Sequence, residues 1–86
     1  MNLFWTPEAL ADRLAIYDHI EADDPGAALS LDEQFSAAAQ RLADYPYLGR
    51  PGRVAFTREL VAHQNYVLVY DMGDDKIRVL RVLHVA

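Results

Sequence analysis

Cysteine is absent from all 86 residues, which excludes a disulfide-held scaffold, a thiolate metal site and a cysteine nucleophile. Long apolar runs are missing too. Nothing approaches the roughly 18 consecutive apolar residues of a membrane-spanning helix. The N-terminal segment has neither the basic start nor the apolar stretch of a secretion signal, so a cytoplasmic location is expected. Basic residues are scarce: eight Lys and Arg against thirteen Asp and Glu leave a net charge of −5. That balance argues against indiscriminate nucleic-acid binding, whose affinity scales with the number of phosphates neutralised. What is plentiful is apolar side chain, at 52% of the sequence, too much for a disordered chain. A single domain spanning 1–86 is expected, and at this size it buries only roughly 60–65% of its unfolded surface.

The charge is unevenly placed. Residues 1–44 carry nine acids against Arg13 and Arg41, whereas residues 45–86 carry six basic residues against four acids. The second half therefore holds either a local basic strip or an ordinary solvated surface.

Punctuation divides the chain. Asn2 to Trp5 is a short apolar run that suits an edge strand. Thr6-Pro7-Glu8 reads as a helix start, with Thr6 as cap, Pro7 at the first helical position and Glu8 against the positive helix end. Leu10, Leu14, Tyr17 and Ile20 recur at helical spacing and predict the buried stripe of a first helix. Asp23-Asp24-Pro25 stops it and starts a second helix, whose stripe is Ala28, Leu31, Phe35, Ala38 and Leu42. The short connection predicts an antiparallel helical hairpin. Tyr45 to Arg53 holds two of the four prolines and two of the four glycines, so it reads as a loop. Three strands are predicted over Val54–Val61, Tyr66–Asp71 and Lys76–His84, joined by tight turns and hence antiparallel. The expected fold is α+β, ordered βααβββ, with the helical hairpin packed on a small antiparallel sheet.

The strands carry an anomaly. Tyr66-Val67-Leu68-Val69-Tyr70 is apolar at every position, and continuity implies that both faces of the strand are covered. In the last strand, simple alternation sets Leu80 and Val82 on one face and Ile77, Val79, Arg81 and Leu83 on the other. Two helices cover one face of a sheet this size. The other face would expose Val67 and Val69, with Val79 and Arg81 beside them, and such apolar patches mark interaction sites. The alternatives are self-association and a sheet that coils shut on itself.

These residues resemble the RelE/ParE superfamily of type II toxin–antitoxin toxins. The likeness spans nearly the whole chain and rests on four segments: Gly49-Arg50-Pro51-Gly52-Arg53-Val54, Thr57-Arg58-Glu59-Leu60-Val61, Tyr66-Val67-Leu68-Val69-Tyr70 and Arg81-Val82-Leu83-His84. The resemblance implies a small bacterial toxin held inactive by a cognate antitoxin, which would cover Val67, Val69, Val79 and Arg81. RelE-like members cut mRNA, usually on the ribosome; ParE-like members poison DNA gyrase and need no catalytic residues. The RNA cleavers commonly place an arginine just before the Leu-Val-Tyr segment, where this chain has Val67. They also carry further basic residues and an aromatic near the C-terminus, where here only Val85 and Ala86 follow His84. A gyrase-directed, ParE-like toxin is therefore expected. The alternatives are a ribosome-dependent endonuclease and a degenerate toxin that only binds its antitoxin.

For an endonuclease the available groups are Arg58, His63, Arg81 and His84, since RNA cleavage needs cations and an acid/base group. Each has a plainer reading. A strand arginine such as Arg58 is a salt-bridge former or a target contact, His63 is a polar turn residue, and Arg81 bridges to an acid or faces a groove. His84 lies close to the chain end. Arg50, Arg53 and Arg58 suit a target or phosphate contact, and the two loop arginines equally suit solvation. His19, His63 and His84 lack ligand spacing, so neither metal nor cofactor is expected.

Overall fold

Both helix starts follow from the local sequence. In the computed structural model, which describes residues 1–85, the Thr6 hydroxyl oxygen accepts from the Ala9 N–H at 3.1 Å and Pro7 opens helix α1 (Pro7–Glu21). The Asp24 carboxylate accepts from the Ala27 N–H at 3.0 Å and Pro25 opens α2 (Pro25–Asp44). Each cap satisfies one of the N–H groups that the first helical turn leaves unpaired. All five residues of the predicted α2 stripe are buried, and Ala39 joins them. The small Ala38 and Ala39 side chains bring the helix close to the sheet, where Phe35 meets the Tyr66 ring edge-on at 5.4 Å.

Helix α1 departs from its predicted stripe. Leu14 is 62% exposed and Leu10 is exposed as well; the buried or half-buried line is Ala9, Ile16 and Ile20. Polar contacts explain the rotation. Asp12 accepts from the Val82 N–H at 2.9 Å. Arg13 lies over the Trp5 ring at 4.4 Å and bonds the Asp32 carboxylate through two nitrogens. These anchors fix the helix with Leu10 and Leu14 turned to solvent.

The sheet runs β1-β5-β4-β3-β2, comprising β1 (Asn2–Trp5), β2 (Arg50–Pro51), β3 (Arg58–His63), β4 (Tyr66–Gly73) and β5 (Lys76–His84). It is mixed, because β1 adds to β5 in parallel while the other pairs are antiparallel. The expected βααβββ order is present, with β2 as a two-residue addition inside the predicted loop. β3 begins at Arg58 rather than Val54, since residues 53–56 form a turn.

One extra residue re-phases β5. Val69 pairs with Arg81 and Tyr70 with Val79, so Leu80 is left over as a bulge. A bulge shifts every later side chain to the opposite face. Ile77 and Val79 therefore share the helix-facing core with Val82, while Arg81 and Leu83 take the far face. Carbonyl groups freed at the bulge are recovered by α1's cap: Thr6 N–H donates to Val79 O and the Thr6 hydroxyl to Leu80 O, both at 3.0 Å.

The β4–β5 turn places Asp74 and Asp75 at φ 51° and 65°, left-handed at both central positions as a type I′ hairpin requires. Asn-Gly meets that demand with less strain. The double change Asp74→Asn, Asp75→Gly is expected to raise stability by about 0.5–1 kcal/mol, read as a higher urea midpoint at unchanged slope.

Candidate functional site

Glu59 organises the loop end of the sheet. It is a carboxylate only 8% exposed, on the face of β3 opposite Leu60. It accepts from the Arg53 N–H at 3.1 Å and lies 3.5 Å from an Arg50 nitrogen. The Arg53 N–H bond, then the Arg50 and Arg53 charges, hold its carboxyl below the usual range despite burial. On the other side of β3, the Arg58 guanidinium donates to the Gly49 and Tyr47 carbonyls. The buried Tyr70 hydroxyl accepts from the Gly49 N–H at 3.0 Å and donates to Pro46 O at 2.7 Å. Tyr45–Arg53 is thus a loop tied at several points, and Arg58 is one of its ties.

The sheet face away from the helices forms a cleft of about 340 Å³. Val67, Val69 and Leu83 make its floor; Arg53, Glu59 and Arg81 stand at its rim. Val67 is 2% exposed, so this face is less open than its apolar sequence predicts. Arg81 turns over the β5 edge to the Asp12 carboxylate, bonding it at 2.7 and 3.0 Å. Burial alone would raise the Asp12 carboxyl; the Arg81 hydrogen bond, the Val82 N–H and the Arg81 charge together carry it below its usual value.

Both lowered carboxyls make stability acid-sensitive. A group with a depressed folded pKa contributes fully above its unfolded value, about 4 for Asp and Glu. That contribution disappears as pH falls through the folded value. The melting temperature is expected to hold from pH 7 to about 5 and fall below about 4. Glu59→Gln flattens part of that fall, which thermal scans across pH will show.

The histidines occupy a different place. His63 and His84 flank Tyr66, with ring centroids 6.1 and 5.1 Å from it. His19 and His84 border a groove of about 430 Å³ between α1 and the end of β5. Among the described residues, no three His, Asp or Glu side chains have metal-holding geometry.

The four candidate nuclease groups do not form one cluster, although Arg81 and His84 line the same cleft. Arg58 and His63 mark opposite ends of β3, about 16 Å apart at strand rise. Arg81 is paired to Asp12, and the His84 ring packs on Tyr66. Of the residues assigned to antitoxin contact, Val79 is fully buried beneath the helices and closed to any partner. Val67 is nearly closed, while Val69 and Arg81 border the far-face cleft. The Leu80 bulge is the reason, because alternation read straight through it puts Val79 on the wrong face. Arg50, Arg53 and Arg58 do gather around the β2–β3 end, with Arg50 and Arg58 engaged within the chain. Sequence reasoning missed Glu59 and Asp12 as the acids that organise this surface. A carboxylate next to Leu60 and Val61 within a predicted strand was the available signal for Glu59.

A second feature the sequence did not disclose is the turn between β2 and β3. Gly52 N–H donates to Thr57 O at 2.8 Å, and the Thr57 N–H and hydroxyl both donate to Val54 O. A Cβ on Gly52 would overlap Thr57 Oγ1 and crowd the Thr57 carbonyl at 3.1 Å, so glycine favours this closure. At the tip, Phe56 is 98% exposed with φ 66°, a conformation costing a non-glycine residue about 1–2 kcal/mol.

Comparison with known proteins identifies the chain. Residues 3–86 match the family described as ParE toxin of type II toxin-antitoxin system, parDE. The chain belongs to this ParE toxin family. Its sequence is 42% identical over 81 residues to the "Putative toxin Y4kP" of Sinorhizobium fredii, covering 93% of this chain and 83% of that protein. It is 40% identical over 85 residues to "Toxin RelE2" of Caulobacter vibrioides, covering 99% and 96%. Among solved structures it superposes on the chromosomal ParDE toxin–antitoxin system of P. aeruginosa with TM-score 0.90 and 29% identity, covering 100% of this chain and 97% of that one. The YoeB/ParE toxin from Agrobacterium tumefaciens shares the fold at TM-score 0.68 and 17% identity, each chain fully covered. This ParE-family chain is therefore the toxin of a type II toxin–antitoxin pair, with a cognate antitoxin as partner. Among the described residues, no helix is long and apolar enough to cross a membrane.

Proposed function

We propose that this toxin acts by binding DNA gyrase, without chemistry of its own, and that the antitoxin blocks that binding. The observation that carries the reading is the floor of the far-face cleft. Val67 and Val69 stand at its centre, and valine neither neutralises a phosphate nor moves a proton. Of the two arginines that line the cleft, Arg81 is engaged with Asp12, and one cation, Arg53, remains at the rim. A net charge of −5 also suits a protein target better than ribosomal RNA.

A second reading, mRNA cleavage, is favoured by two observations: Arg81 and His84 both border the cleft, and a relative carries the name Toxin RelE2. The two readings separate with purified components. Gyrase binding predicts that the toxin inhibits supercoiling of relaxed plasmid or traps a cleaved complex, and that added antitoxin reverses this. Unchanged gyrase activity, with mRNA cut on stalled ribosomes, overturns it.

A further inference from the structure

We propose that Phe56 is the anchor of the toxin–target contact, inserting into a preformed apolar pocket with an acidic rim on a folded target protein. It is the most solvent-exposed large apolar residue of the chain, carried at the tip of the Gly52–Thr57 turn. The fold gains nothing from it there. An exposed phenyl ring has no burial to contribute, and a left-handed φ is one that bulky residues avoid. Strain of this kind, held in place by surrounding structure, clusters at functional sites.

The turn is held at its base. Gly52 and Thr57 close the turn, and the buried Glu59 carboxylate grips its backbone at the Arg53 N–H. A tip fixed at its base loses little freedom on binding. Val54, itself exposed, shares the turn, so the presented surface is an aromatic knob with an aliphatic neighbour. Aromatic and arginine residues dominate the strongest positions of protein interfaces.

Shape and charge specify the occupant. A knob needs a hole, and a preformed hole belongs to a folded protein. An antitoxin segment that orders on binding instead fills grooves; the α1–β5 groove takes no residue from the turn, and the far-face cleft takes Arg53, Val54 and Thr57 from it but not Phe56. The exposed Arg53 shares the turn with the knob, so the complementary rim is acidic. A nucleic acid fits less well: Arg58 is spent on the Gly49 and Tyr47 carbonyls and Arg50 on Glu59, which leaves the Arg53 side chain to meet phosphates.

The inference rests on the gyrase reading only for the partner's being a folded protein. The test uses the full-length toxin, with Phe56→Gly and Phe56→Leu, in three measurements: growth arrest on expression, affinity for the cognate antitoxin, and thermal stability. Phe56→Gly should melt higher than the wild type, because glycine accepts the left-handed φ, and should bind antitoxin unchanged within about twofold. Its toxic potency should fall by about 30-fold or more, the size of a hot-spot loss, with Phe56→Leu between. Loss of arrest by Phe56→Gly when the wild type leaves purified gyrase untouched keeps the anchor and removes gyrase as the target. Full arrest by Phe56→Gly, a parallel loss of antitoxin binding, or a wild type that arrests nothing each overturns the anchor. So does weakened binding of a fluorescent single-stranded oligonucleotide in step with lost toxicity, which would make Phe56 a base-stacking residue.

Discussion

Phe35→Ala should lower stability by about 3–5 kcal/mol, the range for truncating a buried phenyl ring. Phe35 is fully buried on α2 and meets the Tyr66 ring, which in turn holds the His84 end of β5. The substitution removes the ring's transfer energy, opens a cavity between helix and sheet, and loses the edge-on aromatic contact. A domain of this size has only about 5–15 kcal/mol in total, so the variant should sit near its unfolding midpoint at 37 °C. Antitoxin that binds only the folded toxin shifts this equilibrium by mass action. The variant should therefore be recovered folded in the complex and poorly when expressed alone. Urea titration of free and complexed variant checks both halves.

Gly49→Ala is the second large effect. An added Cβ would lie 2.7 Å from Glu59 O and 2.8 Å from both the hydroxyl and a ring carbon of Tyr70. None of these yields easily: the first is strand backbone and Tyr70 is fully buried. The overlap pushes the Tyr45–Arg53 loop off the sheet and strains three ties at once, Gly49 to Tyr70, Tyr70 to Pro46 and Arg58 to Gly49. Overpacking and the lost bonds together should cost about 2–4 kcal/mol. The loss should also show as rapid amide exchange at Gly49 and increased protease cutting in the loop. Tyr70→Phe, which keeps the ring and removes only the hydroxyl, should cost about 1–3 kcal/mol. That difference separates the packing part of the effect from the hydrogen bonds.

Where local rules governed, the sequence was legible. Thr6-Pro7 and Asp24-Pro25 named both helix starts, and the α2 stripe from Ala28 to Leu42 matched the buried face, because apolar burial alone orients that helix. Helix α1 was misread for the opposite reason: Asp12 and Arg13 orient it through partners 70 and 19 residues away, which no helical period reveals. The Leu80 bulge had the same character. Its one-residue slip moves Val79 onto the same face as Val82, and the carbonyls that stabilise it are satisfied by Thr6, far off in sequence. For the functional surface, four short segments pointed to the toxin family, yet they did not place its apolar surface. Leu10 and Leu14 on α1 and Val54 and Phe56 on the turn are among the exposed apolar side chains, whereas Val67 and Val79 on the sheet are buried. The turn was hidden because Val54 to Phe56 have strand-like composition. Only the Gly52–Thr57 closure and a left-handed Phe56 break the strand there.

On the proposed reading, this toxin stops growth by occupying a protein rather than by cutting RNA. Mapping of transcript 5′ ends shortly after induction, in cells where DNA-damage signalling is followed in parallel, tests it most directly. Damage signalling with an unaltered pattern of transcript ends is the expected result. New ends within translated messages, appearing before any damage signal, would contradict it.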